Sequence, residues 1–291
     1  MTTPYKLVLH DSFFNHTIRR LKPRTAHCLP LAASVFDAVR LFATSHVGSV
    51  FVLDDNDVLR GIFTERDLIT KFDANRPIEE IKLPEVMSSP VEHMRSSASL
   101  GRLLHTISRL GVRYVAIIDR AKDTRRIISA RDVIDFVFNL VMQKDAAASH
   151  GEVASAAEIK AFFDSPVSTL NPRAPVILPE DENIYQTIQV LKQQRAGSLM
   201  ISNSTSQCAG IFGERDLSLR VFAKGLEIKR TKLKEVMTPQ PVCIKDSAPI
   251  SEAFTLMSPR GFRHIPLLND SGQPCGLISI HDLISVLGQH T

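Results

Sequence analysis

Gly61-Ile62-Phe63-Thr64-Glu65-Arg66-Asp67 is the stretch that decides the fold, because the chain repeats its pattern three more times. Each copy is a short apolar run closed by a small or hydroxyl residue, two spacers and an aspartate. The other copies are Arg126–Asp132, Gly210–Asp216 and Gly276–Asp282. Asp216 lies 149 residues after Asp67, and Asp282 lies 150 residues after Asp132. Four copies in two pairs of matched spacing indicate an internal repeat.

The repeated stretch predicts a strand that runs directly into a helix. Its apolar run is typical of a buried strand, and apolar residues at helical spacing follow the aspartate. Thr64 and Ser129 are the predicted N-caps of the helices in the first two copies. The aspartate three positions later would complete a capping box, with Asp in place of the usual Glu.

The residues around this junction predict the order strand–helix–strand–strand–helix. In the first copy, helical spacing predicts a helix from Ser34 to Thr44, and strands follow at 50–53 and 59–63. The second copy has the most regular helix, and Gly111 is expected to end it. The single apolar stripe of this helix consists of Leu100, Leu103, Leu104, Ile107 and Leu110.

The four copies divide the chain into four repeats within two duplicated halves. The predicted segments are a lead-in at 1–24, repeat 1 at 25–80, repeat 2 at 81–142, a linker at 143–165, repeat 3 at 166–230 and repeat 4 at 231–291. The linker is rich in Ala and Ser and poor in large apolar residues, which predicts a partly helical tether between the halves.

The composition is that of a soluble globular protein. The 291 residues suffice for about two domains, and 44% hydrophobic with 23% charged residues exclude wholesale disorder. A net charge of +4 without basic runs gives no support for a nucleic-acid partner. No apolar stretch suits a membrane span or a signal peptide, and neither cysteines nor histidines have metal-binding spacing. We therefore expect a cytoplasmic protein with free thiols, no metal and no membrane contact.

These motifs resemble those of the cystathionine β-synthase (CBS) domain family. The matching features are the V-M-x-x-P opening at Val86 with its counterpart V-M-T-P at Val236, G-x-R-H-I-P-L at 261–267, and G-h-h-[ST]-x-x-D, where h is apolar; this last pattern is complete at 61–67 and 276–282 and differs at one position in each of the other two copies. The resemblance covers roughly residues 25–142 and 166–288. It implies an α/β fold in which four CBS (βαββα) repeats pair into two Bateman modules, arranged as a disc. The layout is also similar to that of the γ regulatory subunit of AMP-activated protein kinase.

The resemblance implies an adenine nucleotide (AMP, ADP or ATP) as a regulatory ligand in clefts between paired repeats. A carboxylate can accept hydrogen bonds from both ribose hydroxyls, and a helix N-terminus favours phosphate. By family analogy the aspartates would hold ribose, the cap hydroxyls would donate to phosphate, and basic residues at the strand openings would balance charge. The residues are Asp67, Asp132, Asp216 and Asp282 for ribose, Thr64, Ser129 and Ser279 for phosphate, and Arg113, Arg263 and His264 for charge.

The same junctions also have a purely structural interpretation, since Thr-x-x-Asp can be only a helix cap worth about 1 kcal/mol. Gly213 lacks the cap hydroxyl, which predicts weak or absent phosphate binding in repeat 3. Repeats 1 and 3 also have Ser49 and Ser198 where our alignment places Arg113 and Arg263 in the other two. The predicted order of sites is therefore repeat 4, repeat 2, repeat 1 and repeat 3.

Three functions follow from these alternatives. The first is a regulatory protein that binds an adenine nucleotide and transmits the occupancy of its clefts to a partner protein. Only the layout of four repeats suggests a kinase as that partner. The second is a nucleotide-free scaffold or oligomerisation module, which Gly213 favours. The third is an enzyme, but no nucleophile-elbow, P-loop or dinucleotide-binding motif occurs, so we expect no catalysis. Whether two chains form a homodimer stays open.

Overall fold

A computed structural model describes residues 11–119, 125–142, 156–205 and 207–288. Most of the predicted tether, residues 143–155, and the first ten residues of the lead-in lie outside these ranges. The end of the predicted tether is a helix, Ala156–Asp164.

The first half of the chain contains a short lead-in and two repeats with the same order of elements. The lead-in has α1 (Asp11–Asn15), a 3-10 helix (Ile18–Leu21) and β1 (Arg24–Thr25). Repeat 1 has β2 (Cys28–Pro30), α2 (Val35–Ser45), β3 (Ser49–Leu53), β4 (Leu59–Thr64) and α3 (Asp67–Thr70). After α4 (Leu83–Val86), repeat 2 has β5 (His93–Met94), α5 (Leu100–Leu110), β6 (Tyr114–Ile117), β7 (Arg126–Ser129) and α6 (Ala130–Met142).

The second half has the same order. It begins with α7 (Ala156–Asp164) and a 3-10 helix (Val167–Leu170). Repeat 3 has β8 (Ile177–Pro179), α8 (Ile184–Gln193), β9 (Ser198–Ser202), β10 (Cys208–Gly213) and α9 (Glu214–Asp216), followed by a π-helix (Leu217–Val221) and a 3-10 turn (Phe222–Lys224). After α10 (Leu233–Val236) and β11 (Thr238–Pro239), repeat 4 has β12 (Ile244–Lys245), α11 (Ile250–Met257), β13 (His264–Leu268), β14 (Pro274–Ser279) and α12 (Ile280–Gly288).

The strand topology is identical in all four repeats. The first strand runs parallel to the second, and the second pairs antiparallel with the third as a hairpin. A parallel pair needs a crossover, and the helix after the first strand supplies it. The predicted α/β fold class, four βαββα repeats in two Bateman pairs, is confirmed. The arrangement as a disc stays a prediction.

The repeats pack into two compact units, and each unit takes one repeat from each half of the chain. The first unit, with repeats 2 and 4, is formed by described residues within 1–25, 92–174 and 242–291. The second unit, with repeats 1 and 3, is formed by 26–91 and 175–241. Residues distant in sequence therefore share a core, an interleaving that local sequence patterns do not reveal.

Helices close each unit. In the first unit α12 packs against α5 and α6, and in the second unit α2 packs against the π-helix Leu217–Val221. The first core includes the fully buried Leu103, Leu104, Ile107, Leu283, Ile284 and Leu287. The second includes Val35, Val39, Phe42, Leu217 and Val221. Burial of these side chains is the main stabilising contribution of each unit.

The ends of helices α2 and α5 agree with the sequence, but one side chain of the predicted buried stripe is exposed. Gly111 ends α5 in the left-handed conformation, as predicted, and α2 begins with a capping box of Ser34 and Asp37. Leu110 was expected in the buried stripe of α5, but it is 50% exposed. At 100° per residue it points about 80° away from Leu100. It therefore lies at the edge of the stripe.

Two methionines pack directly on strand glycines in the second unit. Met87 lies over Gly61, where a Cβ would be 2.2 Å from the methionine sulfur, and Met237 lies over Gly210 in the same way, at 2.4 Å. Both methionines are partly buried against the core of this unit. Glycine is therefore required here by close packing rather than by backbone conformation.

Replacement of Gly61 by alanine tests this packing. Gly61→Ala should lower the free energy of unfolding by about 1–3 kcal/mol, because the new methyl group overpacks the site. In a Met87→Ala background the same substitution should cost much less, since the clashing side chain is absent. Chemical denaturation of all four proteins of this double-mutant cycle measures the coupling. Additive effects would contradict the proposed contact.

Candidate ligand sites at the strand-to-helix junctions

Each junction brings the cap residue beside the opening of the hairpin. In repeat 2, Ser129 pairs with Tyr114, and the next backbone N–H, of Ala130, donates to the carbonyl of Arg113 at 2.8 Å. In repeat 4, Ser279 pairs with His264, and Ile280 donates to Arg263 at 3.3 Å. The predicted basic residues thus lie next to the predicted cap and aspartate in both repeats.

The same register corrects the sequence alignment of the other two repeats. The residue after the cap donates to Gly48 in repeat 1 and to Gly197 in repeat 3, both at 3.1 Å. These glycines, and not the serines that follow them, occupy the position of Arg113 and Arg263. A short motif does not fix strand register, and a shift of one residue moves a side chain to the opposite face. Repeats 1 and 3 still lack the arginine.

All four aspartates accept hydrogen bonds at the strand-to-helix junction through one oxygen, Oδ2. In repeat 1 the prediction of Thr64 as the N-cap is wrong, because Thr64 is the last residue of β4 and α3 begins at Asp67 with Arg66 as its N-cap. Oδ2 accepts the backbone N–H of the predicted cap residue in every repeat, at 2.8 Å from Thr64, 2.7 Å from Ser129, 3.0 Å from Gly213 and 2.7 Å from Ser279. The cap hydroxyl, where present, donates to the same oxygen at 2.7 Å. The structural role expected of the aspartates is therefore present in each repeat.

This arrangement limits the role predicted for the cap hydroxyls. Thr64, Ser129 and Ser279 each have one hydroxyl proton, and a carboxylate can only accept it. Donation to a phosphate therefore requires the hydroxyl to release its aspartate. Phosphate binding has to depend mainly on N–H groups and cationic side chains.

The second carboxylate oxygen divides the four repeats into two classes. In repeat 1, Oδ1 of Asp67 lies 3.0 Å from the ammonium of Lys71 and 3.5 Å from the hydroxyl of Ser88. In repeat 3, Oδ1 of Asp216 lies 3.2 Å from Arg220 and 3.4 Å from the hydroxyl of Thr238; these residues are equivalent to Lys71 and Ser88. In both repeats a cation at position i+4 neutralises the aspartate.

Repeats 2 and 4 have more open aspartates. In repeat 2, Nη2 of Arg24 lies 3.1 Å from Oδ2 of Asp132 and 3.3 Å from the hydroxyl of Ser129, while Oδ1 has no hydrogen-bond partner among the described residues. In repeat 4, Asp282 bonds only to Ser279 within the described chain. The positions equivalent to Lys71 are the apolar residues Phe136 and Val286.

Edge segments supply residues that sequence reasoning missed. The outer edge of the last hairpin strand pairs with Ser88 in repeat 1, Arg24 in repeat 2, Thr238 in repeat 3 and Arg173 in repeat 4. Their partners are the equivalent residues Ile62, Ile127, Ile211 and Leu277. Arg173 follows Arg24 by 149 residues, and Thr238 follows Ser88 by 150. The repeat spacing, applied beyond the quoted motif, would have found both pairs.

The arginine inside the second motif has a structural role. Arg131 donates from Nη2 to the carbonyl of Met257 at 2.7 Å and from Nη1 to the carbonyl of Gly261 at 3.2 Å. Asp135, one turn later, accepts from the hydroxyl of Ser258 at 2.7 Å. Helix α6 of repeat 2 therefore holds the turn that leads to Arg263 in repeat 4.

Two further findings limit the chemistry of the described ranges. They contain no group of three or more His, Cys, Asp or Glu side chains that could hold a metal ion. None of their helices is long and apolar enough to cross a membrane.

Burial disfavours the charge of Asp216, which gives a pH test. Its side chain is 18% exposed, and burial raises the pKa of its carboxyl although Arg220 lowers it in part. The folded state therefore binds this proton more tightly than the unfolded state does. Proton binding by Asp216 stabilises the fold below the ordinary pKa of about 4, and this stabilisation is lost as pH rises from there through the raised pKa of the folded state. Asp216→Asn should gain stability over wild type between pH 4 and pH 7, as measured by denaturation at each pH.

Asp37 is the matched control with the opposite sign. The backbone N–H of Ser34 is the main cause that lowers the pKa of Asp37, so this carboxylate stabilises the fold above the ordinary pKa. Asp37→Asn should therefore lose stability at pH 7, and the loss should shrink as pH falls. The same pH trend in both variants would contradict the environments described here.

The comparisons with known proteins agree with the fold of the repeats. The family model described as "CBS domain" matches residues 18–74, 83–139 and 233–289, and the third repeat has the same topology outside these matches. A CBS domain-containing protein of Arabidopsis thaliana, CBSCBSPB3, is 22% identical over 91% of this chain and 51% of its own length. The chain thus spans about half the length of the curated relatives that it matches over most of its residues.

A solved structure that covers most of the chain shows the same fold. Protein MJ1225 of Methanocaldococcus jannaschii, described as a proposed archaeal homologue of g-AMPK, superposes with a TM-score of 0.74 at 13% identity, over 94% of this chain and 100% of that chain. A shorter match, PAE2072 of Pyrobaculum aerophilum, is a CBS domain protein in complex with AMP (26% identity, 43% of this chain, 97% of that chain, TM-score 0.39). Because the family model matches more than half of the residues, this chain belongs to the CBS domain family.

Proposed function

We propose that the protein is a regulatory sensor that binds an adenine nucleotide (AMP, ADP or ATP) at its strand-to-helix junctions. The observation that carries this proposal is the carboxylate of Asp282. Its Oδ2 is fixed by the N–H and hydroxyl of Ser279, and its Oδ1 accepts no hydrogen bond within the described part of the chain. A fixed carboxylate with an open oxygen suits the vicinal hydroxyls of a ribose.

The surroundings of Asp282 also suit a phosphate. Helix α12 begins directly after Ser279 and has nine residues, so its first N–H groups and its dipole favour an anion. Arg263 and His264 are half-buried at the opening of the neighbouring strand. A nucleotide offers a ribose and a phosphate in one molecule, which matches the carboxylate and the positive groups together.

The candidate binding residues come from all four junctions, and the later choice among the junctions depends on the neighbours of each aspartate. We rank repeat 4 first and repeat 2 second, because their aspartates are open and arginines lie beside them. The set comprises Thr64, Asp67, Arg113, Ser129, Asp132, Asp216, Arg263, His264, Ser279 and Asp282.

Regulation requires that the nucleotide binds two states of the protein with different affinity. A partner protein that recognises one of these states would then respond to occupancy. A kinase as that partner rests on analogy of layout. We propose no catalytic activity for the chain.

A nucleotide-free scaffold is the second candidate function. The observation that favours it is the neutralisation of Asp67 by Lys71 and of Asp216 by Arg220. If all four junctions worked in this way, the aspartates would be caps alone. Repeats 2 and 4 do not have this i+4 cation, so we place the scaffold second.

Thermal unfolding with a ligand panel separates the two functions. AMP, ADP, ATP, GTP, S-adenosylmethionine and NADH are each added to protein shown to be free of carried-over nucleotide. A ligand that binds only the folded state should stabilise it by about 2.7 kcal/mol at 100 times its Kd. We expect a rise in Tm with adenine nucleotides. If no ligand changes the Tm, the sensor proposal is contradicted and the nucleotide-free scaffold is favoured.

Two aspartate variants show where the ligand binds. Asp282→Ala should lose most of the ligand-induced shift, whereas Asp216→Ala should keep it. Both variants remove a helix cap, so each shift is measured against the same variant without ligand. A shift lost in Asp216→Ala but kept in Asp282→Ala would contradict our ranking.

A further inference from the structure

Only two of the four junctions combine an open aspartate with a long helix. In repeats 2 and 4 the cap leads directly into α6 and α12, of 13 and 9 residues. In repeat 1 the helix α3 has four residues, and in repeat 3 the helix α9 has three before the π-helix. The N-terminus of a helix of several turns has N–H groups without partners and a positive dipole end, and both favour an anion. Both long helices belong to the first compact unit.

The edge segments follow the same division. Repeats 1 and 3 have the hydroxyl residues Ser88 and Thr238 at the edge position, and repeats 2 and 4 have the arginines Arg24 and Arg173. Each hydroxyl lies within 3.5 Å of an aspartate that already has a cation. Each arginine instead brings a positive charge to the edge of a repeat whose i+4 position is apolar.

The same backbone geometry holds both arginines. A 3-10 helix precedes each one, and its C-cap is left-handed, with φ of 51° at Lys22 and 52° at Asn171. A proline follows the cap and the arginine follows the proline. Arg24 then pairs with Ile127, and Arg173 pairs with Leu277, whose N–H donates to its carbonyl at 3.3 Å. Equivalent backbones place both guanidinium groups within similar reach of their junctions.

Arg24 shows how far such a side chain reaches. Its Nη2 contacts both Ser129 and Asp132, while Nη1 and Nε have no partner among the described residues. Its side chain is 60% exposed. A guanidinium has five N–H donors in a planar fork, so those that remain can bind phosphate oxygens while Nη2 keeps the carboxylate oriented.

We propose that Arg24 and Arg173 are phosphate-binding residues, and that nucleotide binding is confined to repeats 2 and 4. The ligand class is a ribonucleoside phosphate: Asp132 or Asp282 accepts the ribose hydroxyls, and the edge arginine takes the phosphate. Repeats 1 and 3 are structural, since Lys71 and Arg220 occupy the second carboxylate oxygen, Oδ1, of their aspartates, whereas Arg24 contacts only Oδ2 of Asp132. This inference rests on the proposed function and assigns its sites.

Isothermal titration calorimetry on the full chain tests the proposal, with AMP and adenosine as the two probes. Wild type should bind AMP more tightly than adenosine, at no more than two sites per chain. Arg24→Ala and Arg173→Ala should each weaken AMP binding at one site by about tenfold to one-hundredfold, the range for hydrogen bonds to a charged group. Adenosine lacks the phosphate, so its affinity should stay unchanged, and Arg→Lys should restore part of the AMP affinity.

Ser88→Ala and Thr238→Ala are the matched controls at the equivalent edge positions. Both should bind AMP as wild type does, and unchanged thermal unfolding without ligand confirms that every variant is folded. AMP binding that is unaffected by both arginine variants would overturn this inference but leave the proposed function intact. More than two AMP sites, weaker binding in the controls, or equal loss of AMP and adenosine affinity would also overturn it. Wild-type protein that binds none of AMP, ADP and ATP would remove both the inference and its basis.

Discussion

The hydrogen bonds between an aspartate and the start of its own helix are the constraint on which the repeat depends. A strand that turns directly into a helix leaves the first N–H groups without partners, and Oδ2 of the aspartate satisfies the cap residue in all four repeats. The carboxylate thereby fixes the angle between strand and helix.

A carboxylate used as a cap still has a second oxygen, and its neighbours decide what that oxygen can do. Lys71 and Arg220, one helical turn later, occupy it in the second unit. Phe136 and Val286 stand at the same positions in the first unit and pack against its apolar core instead. The residue at this i+4 position therefore contributes to the difference between a closed cap and an open acceptor.

Local physics made much of this structure predictable. Apolar periodicity predicted the strands and helices, Gly111 predicted a helix end, and the aspartate three positions after Thr64, Ser129, Gly213 or Ser279 predicted the hydrogen bonds at the junctions. The pairing of repeats from different halves was not predictable, because similar apolar stripes occur in each repeat and none specifies its partner. The motif also does not determine strand register. The sequence alignment therefore placed Ser49 opposite Arg113, whereas the hydrogen bonds place Gly48 there. The positions of Arg24 and Arg173 beside the junctions were not predicted, because both residues lie in short edge segments without a periodic apolar pattern.

Because repeats 2 and 4 share the first unit, side chains near the junction of repeat 2 bond directly to the backbone of repeat 4. Helix α6 begins at the junction of repeat 2, and its first turn carries Arg131, which binds two carbonyls at the end of α11 in repeat 4. One of the two carbonyls belongs to Gly261, which has φ of +81° and lies in the turn before β13. Arg263 directly precedes this strand, and His264 is its first residue. A Cβ at Gly261 would stand 3.3 Å from the Arg131 guanidinium, so the turn is packed as well as hydrogen-bonded. A displacement at the start of α6 therefore has to move these contacts or break them, because packed elements transmit shifts rather than absorb them.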